Sequence, residues 1–188
     1  LYGSEPLNHA PVFYLPQSFT FDEDTSLTEN MMDYAIDVDG DALTVTVEET
    51  ENIIVDIDGT QVTFSAAENW FGTETVVVTV NDNQTRATAT DDVEIVVNPV
   101  NDAPWIDLPD EITIDTSVDI LPYAYDVSAF CGDVDGDNII LGAVSSMDLN
   151  VSIYEMTLHI DVPGMQSTIG TITLTVYDEA FLNASDVM

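Results

Sequence analysis

The sequence predicts an all-β protein made of two tandem Greek-key β-sandwich modules. Apolar residues recur with a period of two, as where Leu43, Val45 and Val47 alternate with Thr44 and Thr46. This alternation of β-branched residues is typical of strands with one buried and one solvated face. Short segments of this kind lie about ten residues apart, and no convincing amphipathic helix interrupts them, a pattern that favours a β-sandwich.

Three sequence blocks occur twice in the same order, which indicates two copies of one module. The first block recurs 93 residues later (101 − 8), and the other two recur 96 residues later (133 − 37 and 172 − 76). The pairs are Asn8-His9-Ala10-Pro11 with Asn101-Asp102-Ala103-Pro104, Asp37-Val38-Asp39-Gly40-Asp41 with Asp133-Val134-Asp135-Gly136-Asp137, and residues 76–82 with 172–178.

The repeat sets the expected domain boundaries. Residues 1–7 are interpreted as the tail of a preceding module, residues 8–100 as module one and residues 101–188 as module two. The joint is a short Pro-bounded segment, Asn98 to Pro104, which favours extended backbone. Module two stops before a counterpart of Val93–Val97, so we expect it to lack its last strand and to carry an open sheet edge. The chain is interpreted as a fragment of a longer array.

The strand candidates follow the alternation in chain order, with turns at Asp58-Gly59-Thr60, Phe71-Gly72-Thr73 and Pro163-Gly164. They are 19–21, 43–47, 53–57, 61–64, 76–80 and 92–97 in module one, and 112–114, 151–153, 156–160 and 172–176 in module two. Tyr34-Ala35-Ile36-Asp37 also resembles Tyr123-Ala124-Tyr125-Asp126, only 89 residues later (123 − 34). This match predicts a seven-residue gain around Val127–Gly132, the segment that holds Cys131.

The charge balance limits the possible partners. The chain has 36 Asp and Glu, one Lys or Arg, and a formal net charge of −35. Binding to nucleic acid or to anionic lipid needs a basic surface, so both are excluded as electrostatic partners. No apolar run is long enough to insert into a membrane. A hydrophobic content of 45% nevertheless provides for a core, and the single cysteine allows no internal disulfide.

The repeated Asp-x-Asp motif is the strongest chemical signal. Close carboxylates repel unless a cation lies between them, and hard cations such as Ca²⁺ prefer oxygen ligands. An EF-hand is the first alternative, with Asp37, Asp39 and Asp41 at its first three ligand positions. It fails because its obligatory glycine is Ala42, and because the supposed loop runs into a strand.

The motifs in this order resemble cadherin repeats. An Asp-x-Asp block, a strand that ends in Asp and an Asn-Asp-Ala-Pro linker are most similar to the cadherin-like tandem repeats of bacterial and archaeal surface proteins. The resemblance implies a cadherin- or immunoglobulin-like sandwich with Ca²⁺ at the module junctions. The implied ligands of the inter-module junction are Glu23, Glu68, Asn101, Asp102, Asp133, Asp135 and Asp178, and those of the upstream junction are Asn8, Asp37, Asp39 and Asp82.

The chain departs from the family pattern at three points. The Asp-Arg-Glu signature of animal cadherins is absent, and Glu68 is only its positional counterpart. His9 stands in place of the first linker aspartate. The match of Asp126 to Asp37 makes Asp126 a rival of Asp133 as a metal ligand.

Catalysis has little support, because His9 and His159 are distant in sequence and no nucleophile–base spacing is recognisable. We therefore expect a non-enzymatic, extracellular or cell-surface protein with a structural or adhesive role. Its expected partners are neighbouring modules and other copies joined by strand addition.

The alternative is an accessory, carbohydrate-binding or spacer module of a secreted carbohydrate-active enzyme, which an exposed Trp70 or Trp105 would favour. Sequons at Asn83, Asn150 and Asn183 predict possible glycosylation.

Overall fold

The chain forms two compact units, Leu1–Val100 and Asn101–Met188, in a computed structural model. The structure describes residues 7–84, 87–115, 117, 119, 121–146, 149–163 and 169–188. Nearly all the regular structure is β-strand, as the apolar alternation predicted, and a single turn of 3₁₀ helix at Met31–Asp33 is the exception among the described residues.

The first unit is a sandwich of two sheets with a short ribbon at its side. Its four-stranded sheet has the order β2-β9-β8-β5, its three-stranded sheet the order β3-β7-β6, and β1 pairs with β4. This alternation of strands between sheets is the Greek-key arrangement of immunoglobulin-like folds. The strands are β1 Val12–Phe13, β2 Ser18–Asp22, β3 Ser26–Asn30, β4 Ala35–Ile36, β5 Thr44–Val47, β6 Ile53–Asp58, β7 Gln61–Ala66, β8 Gly72–Asn81 and β9 Thr88–Asn98.

The core of the first unit lies between its two sheets. Val76, Val78 and Val80 of β8 are fully buried, and the intervening residues of that strand are more exposed. Phe64 of β7 and Met31 are also fully buried and belong to the same apolar cluster. The period-two pattern therefore places one face of each strand in the core.

The second unit repeats this plan, with fewer strands among its described residues. Its sheets have the orders β13-β16-β17 and β11-β15-β14, and β10 pairs with β12. Leu158, Ile160 and Leu174 are almost completely buried in its core. The strands are β10 Trp105–Ile106, β11 Tyr123–Asp126, β12 Cys131–Gly132, β13 Ile140–Ser145, β14 Asn150–Tyr154, β15 Thr157–Asp161, β16 Ile172–Tyr177 and β17 Asn183–Val187.

Strand pairing corrects the predicted match of Tyr34–Asp37 with Tyr123–Asp126. The true counterpart of Ala35–Ile36 is Cys131–Gly132, 96 residues later (131 − 35), because both pairs face the first strand of their own unit. Strand β11 instead occupies the place of β3, next to the central strand of the other sheet. The second unit therefore has no seven-residue gain at Val127–Gly132. The cross-strand partners, rather than the shared Tyr-Ala dipeptide, determine which strands of the two units correspond.

Two expectations about the ends of the second unit also change. Strand β17 pairs with β16, so the first half of the last strand is present, and Met188 corresponds to Val93 (188 − 95). The predicted strand at 112–114 is absent from the described ladders. Its counterpart β2 pairs in parallel with Glu94–Asn98 of β9. Alternation alone cannot form a strand without a partner.

Candidate metal centre

The Asp37–Asp41 turn of the first unit gathers three carboxylates. One oxygen of Asp37, Oδ1, accepts the backbone N–H groups of Asp39, Gly40 and Asp41 at 2.9, 2.9 and 3.2 Å. Gly40 has φ +79°, a conformation that favours glycine. The turn brings ligand oxygens of Asp37, Asp39 and Asp41 to within 4.8 Å of one another.

The linker before β1 contacts this turn through His9 and the end of β8 through Asn8. The backbone N–H of His9 donates to Oδ2 of Asp39 at 2.7 Å, and its ring Nδ1 lies 3.2 Å from the same oxygen. Asn8 donates its Nδ2–H to Oδ2 of Asp82 at 3.0 Å, at the end of β8. The hydrogen bond from the His9 backbone lowers the pKa of Asp39.

The second unit reproduces these contacts. Asn101 donates to Oδ2 of Asp178 at 2.7 Å, and the backbone N–H of Asp102 donates to Oδ2 of Asp135 at 2.7 Å. Oδ1 of Asp133 accepts the backbone N–H groups of Asp135 at 2.9 Å and Asp137 at 3.2 Å. Each contact has its counterpart in the first unit, so the repeat preserves geometry as well as residue types.

Several carboxylate oxygens in these clusters are buried. Asp82 and Asp178 are only 1% and 2% exposed. Oδ2 of Asp37 and Oδ2 of Asp133 are buried and have no hydrogen-bond partner among the described residues. A buried carboxylate oxygen is costly unless a donor or a cation satisfies it. The donor set of carboxylate and amide oxygens is the one that a hard cation prefers, so the residues fit such an ion.

Sequence reasoning missed the third aspartate of each motif as a site residue. Partial burial, followed by repulsion from Asp37, Asp82 and Asp39, raises the pKa of Asp41. The pKa of Asp137 is raised in the same way, by partial burial and then by repulsion from Asp133 and other carboxylates. Both residues therefore belong to the acidic clusters. The available signal was the motif itself, which has a third Asp in both copies.

The two glutamates predicted for the inter-module junction belong to the first unit. Glu23 is 2% exposed, and its Oε1 accepts the backbone N–H of Val100 at 2.7 Å. Glu68 is exposed in the turn after β7. The other five residues of that set, Asn101, Asp102, Asp133, Asp135 and Asp178, lie in the second unit. A ligand set shared between the units therefore remains a prediction.

Asp126 has a structural role that differs from that of Asp133. Its Oδ1 accepts the backbone N–H of Ser128 at 2.9 Å, as Asn30 Oδ1 accepts that of Met32 at 3.2 Å. Asp126 therefore corresponds to Asn30 (126 − 96), whereas Asp133 corresponds to Asp37. Cys131 is buried, and burial raises the pKa of its thiol.

The aromatic residues and the sequons lie outside these clusters. Trp70 packs against the first core, whereas Trp105 is 47% exposed and its ring covers Gly132. The sequon asparagines are all exposed, Asn83 in a turn and the other two at the first residues of their strands, Asn150 and Asn183.

Comparisons with known proteins agree with the fold. Residues 8–96 match the family described as bacterial Ig domain, and no curated protein matches the chain. Human protocadherin-24 EC1-2 is 16% identical with a TM-score of 0.54, and the match covers 96% of this chain and 94% of that one. Drosophila N-cadherin EC1-4 is 18% identical with a TM-score of 0.53, over 96% and 48% of the two chains.

An endo-fucoidan hydrolase from glycoside hydrolase family 107 is also similar, with 14% identity and a TM-score of 0.43. The match covers 98% of this chain but only 29% of that enzyme. No described helix is long and apolar enough to cross a membrane. Residues 8–96 thus match a bacterial Ig domain, and the chain has a cadherin- and immunoglobulin-like β-sandwich fold.

Proposed function

We propose that this chain is a calcium-stiffened structural or adhesive segment of an extracellular or cell-surface tandem-repeat protein, with no catalytic role. The repeated acidic cluster is the observation that carries the proposal. Each unit holds an Asp-x-Asp turn, an Asn that binds a buried Asp at a strand end, and a linker backbone N–H bound to the second Asp. A solvated acidic turn would not need this arrangement twice.

Calcium would bind the oxygen atoms of both clusters. In the second unit its ligands would come from Asn101, Asp102, Asp133, Asp135 and Asp178, with Glu23 and Glu68 contributed by the first unit. In the first unit they would come from Asn8, Asp37, Asp39 and Asp82. Bound calcium would neutralise the crowded carboxylates and restrict the Pro-bounded linker. The neighbouring modules of such an array would be the immediate partners.

The chemistry suits an extracellular setting. Calcium sites of extracellular modules have dissociation constants of roughly 10⁻⁴ to 10⁻³ M, so they are filled outside cells and empty inside. Calcium at about 100 times its dissociation constant would stabilise the native state by about 2.7 kcal/mol. Loss of calcium should therefore lower the melting temperature and increase the motion between the modules.

The test compares melting curves and small-angle scattering profiles with calcium and with chelator, at constant magnesium and sodium. We expect chelation to lower the melting temperature and to broaden the distribution of shapes. Asp135→Ala should remove most of this response, because it deletes a proposed calcium ligand of the inter-module junction. Asp58→Ala is the matched control, since Asp58 is an exposed aspartate at the end of β6. Curves and profiles that do not respond to chelator would contradict the calcium proposal.

The half-exposed ring of Trp105 favours the alternative, an accessory module that binds carbohydrate. Such a module would quench its tryptophan fluorescence on binding a soluble polysaccharide, and Trp105→Ala would abolish the quenching. The structural proposal expects no such change.

A further inference from the structure

The outer edge of β13 differs from the outer edge of its counterpart β5 in the first unit. Strand β13 pairs only with β16 among the described residues, just as β5 pairs only with β8. Strand β5 has four residues, and Glu48, Glu49 and Glu51 follow it closely. Short strands and charged residues are the usual protection of a sheet edge against pairing with another chain.

Strand β13 lacks this protection. It has six residues, and the run from Asn138 to Met147 contains no charged residue, in a chain with 36 Asp and Glu among 188 residues. Val144 takes the place of Glu48 (144 − 96), and Ile140 that of Thr44. Both side chains are largely exposed, Ile140 at 67% and Val144 at 66%. Beside this edge lies a groove lined by Ile139, Ile140, Leu141, Ile153, Met156 and one carboxylate, Glu155.

The pairing of β13 with β16 shows which backbone groups face the open edge. The backbone N–H of Ser146 donates to the carbonyl of Thr171 at 2.9 Å, and the ladder continues in register from this pair. Hydrogen-bonded pairs alternate in an antiparallel ladder, so Val144, Gly142 and Ile140 direct their backbone groups to β16. Leu141, Ala143 and Ser145 therefore direct theirs outward.

We propose that β13 pairs antiparallel with β13 of a second copy of this chain, about a two-fold axis at Gly142. Leu141 would then face Ala143 of the other copy, so that both exchange the outward backbone hydrogen bonds. Ile140 would face Val144 of the other copy on the exposed side of the sheet. The two three-stranded sheets would join into one of six strands.

A second copy is the occupant that the charges favour. Two chains of net charge −35 repel each other, so they can meet closely only where both surfaces are uncharged. The described part of that run, residues 138–146, offers such a surface, with Glu155 as the one carboxylate lining the groove beside it. An antiparallel strand paired with itself is also automatically complementary in sequence at a two-fold axis. Association should therefore strengthen as salt screens the remaining charge. This contact does not depend on calcium binding.

The first test is sedimentation velocity at high ionic strength, with calcium and with chelator. We expect the wild-type chain to dimerise in both conditions. Val144→Glu, which installs the residue that the first unit has at this position, should be monomeric. At low ionic strength, where charge repulsion disfavours the dimer, its melting temperature should match that of the wild type. Ile54→Glu is the matched control, since Ile54 is a 58% exposed residue of the edge strand β6, and it should dimerise like the wild type.

The second test measures the register. Residues that face each other in a non-hydrogen-bonded antiparallel pair have Cα atoms about 4.5 Å apart, within the range for a disulfide. Gly142→Cys should therefore form a disulfide-linked dimer under mild oxidation, because an added Cβ meets nothing closer than the ring of Tyr177 at 3.7 Å. Thr46→Cys, at the matching position in β5, should not. A monomeric wild type, a dimeric Val144→Glu variant, or equal cross-linking of the two cysteine variants would overturn the proposal.

Discussion

At the scale of single residues, Glu74 is a carboxylate that stabilises the first unit through hydrogen bonds. It accepts the Nδ2–H of Asn52 at 2.6 Å and the backbone N–H groups of Asn52 and Ile53 at 3.2 and 3.3 Å. Partial burial tends to raise its pKa, but the hydrogen bonds from Thr50, Asn52 and Ile53 outweigh burial and lower it. The counterpart of Glu74 in the second unit is Gly170 (170 − 96), so this stabilisation is confined to the first unit.

Glu74→Gln should lower the free energy of unfolding of the first unit by about 1 kcal/mol at neutral pH. A carboxyl group with a lowered folded-state pKa stabilises the fold above its unfolded-state pKa, and this contribution is lost as the pH falls through the folded-state value. The difference from wild type should therefore shrink as the pH falls below the ordinary pKa of a glutamate. Urea unfolding of both proteins in a Trp105→Phe background, where Trp70 is the remaining tryptophan, measures it. As a control, Glu49→Gln, at an exposed glutamate, should have the same free energy of unfolding as the wild type at neutral and at acidic pH.

At the scale of elements, one aspartate in the last strand of each unit holds the segment after the first strand. Asp91 Oδ2 accepts the backbone N–H of Leu15 at 2.8 Å, and Asp186 Oδ2 accepts that of Leu108 at 2.7 Å. The hydrogen bonds from Leu108 and Val187 lower the pKa of Asp186. Leu108 is buried, so its N–H depends on this one acceptor among the described contacts.

Asp186→Ala should therefore speed amide hydrogen exchange at Leu108, because the freed N–H has lost its acceptor. Exchange in the first unit should not change, and Asp110→Ala, at an exposed aspartate near Leu108, should leave the Leu108 amide protected. If exchange at Leu108 were as slow in Asp186→Ala as in the wild type, the carboxylate would not be what holds this segment. Residue-resolved NMR exchange measures both variants.

At the scale of the whole molecule, this chain of net charge −35 also offers three exposed sequons for surface glycans. We propose glycan attachment at Asn83, Asn150 and Asn183, whose side chains are all exposed. The intact mass of protein from its native source should exceed the mass of the bare chain and should fall to it after enzymatic deglycosylation. A native mass equal to that of the bare chain would contradict the proposal.

The sequence by itself determined the fold class, because period-two alternation needs only the local geometry of a strand. It also identified most residues of the acidic clusters. The repeat alone aligns Asp37, Asp39 and Asp82 with Asp133, Asp135 and Asp178, and this alignment requires no structural information. The motif contains Asp41 and Asp137 as well, but their partial burial and their repulsion by carboxylates from several segments became visible only in the structure.

Only the tertiary structure decided which segments correspond between the units. The shared dipeptide in Tyr34-Ala35 and Tyr123-Ala124 favoured the wrong match, because a strand's identity depends on its partner across the sheet. The same dependence removed the strand predicted at 112–114 and added the strand at Asn183–Val187. Hydrogen-bonded pairing is a property of two segments distant in sequence, so the pattern of either segment alone cannot specify it.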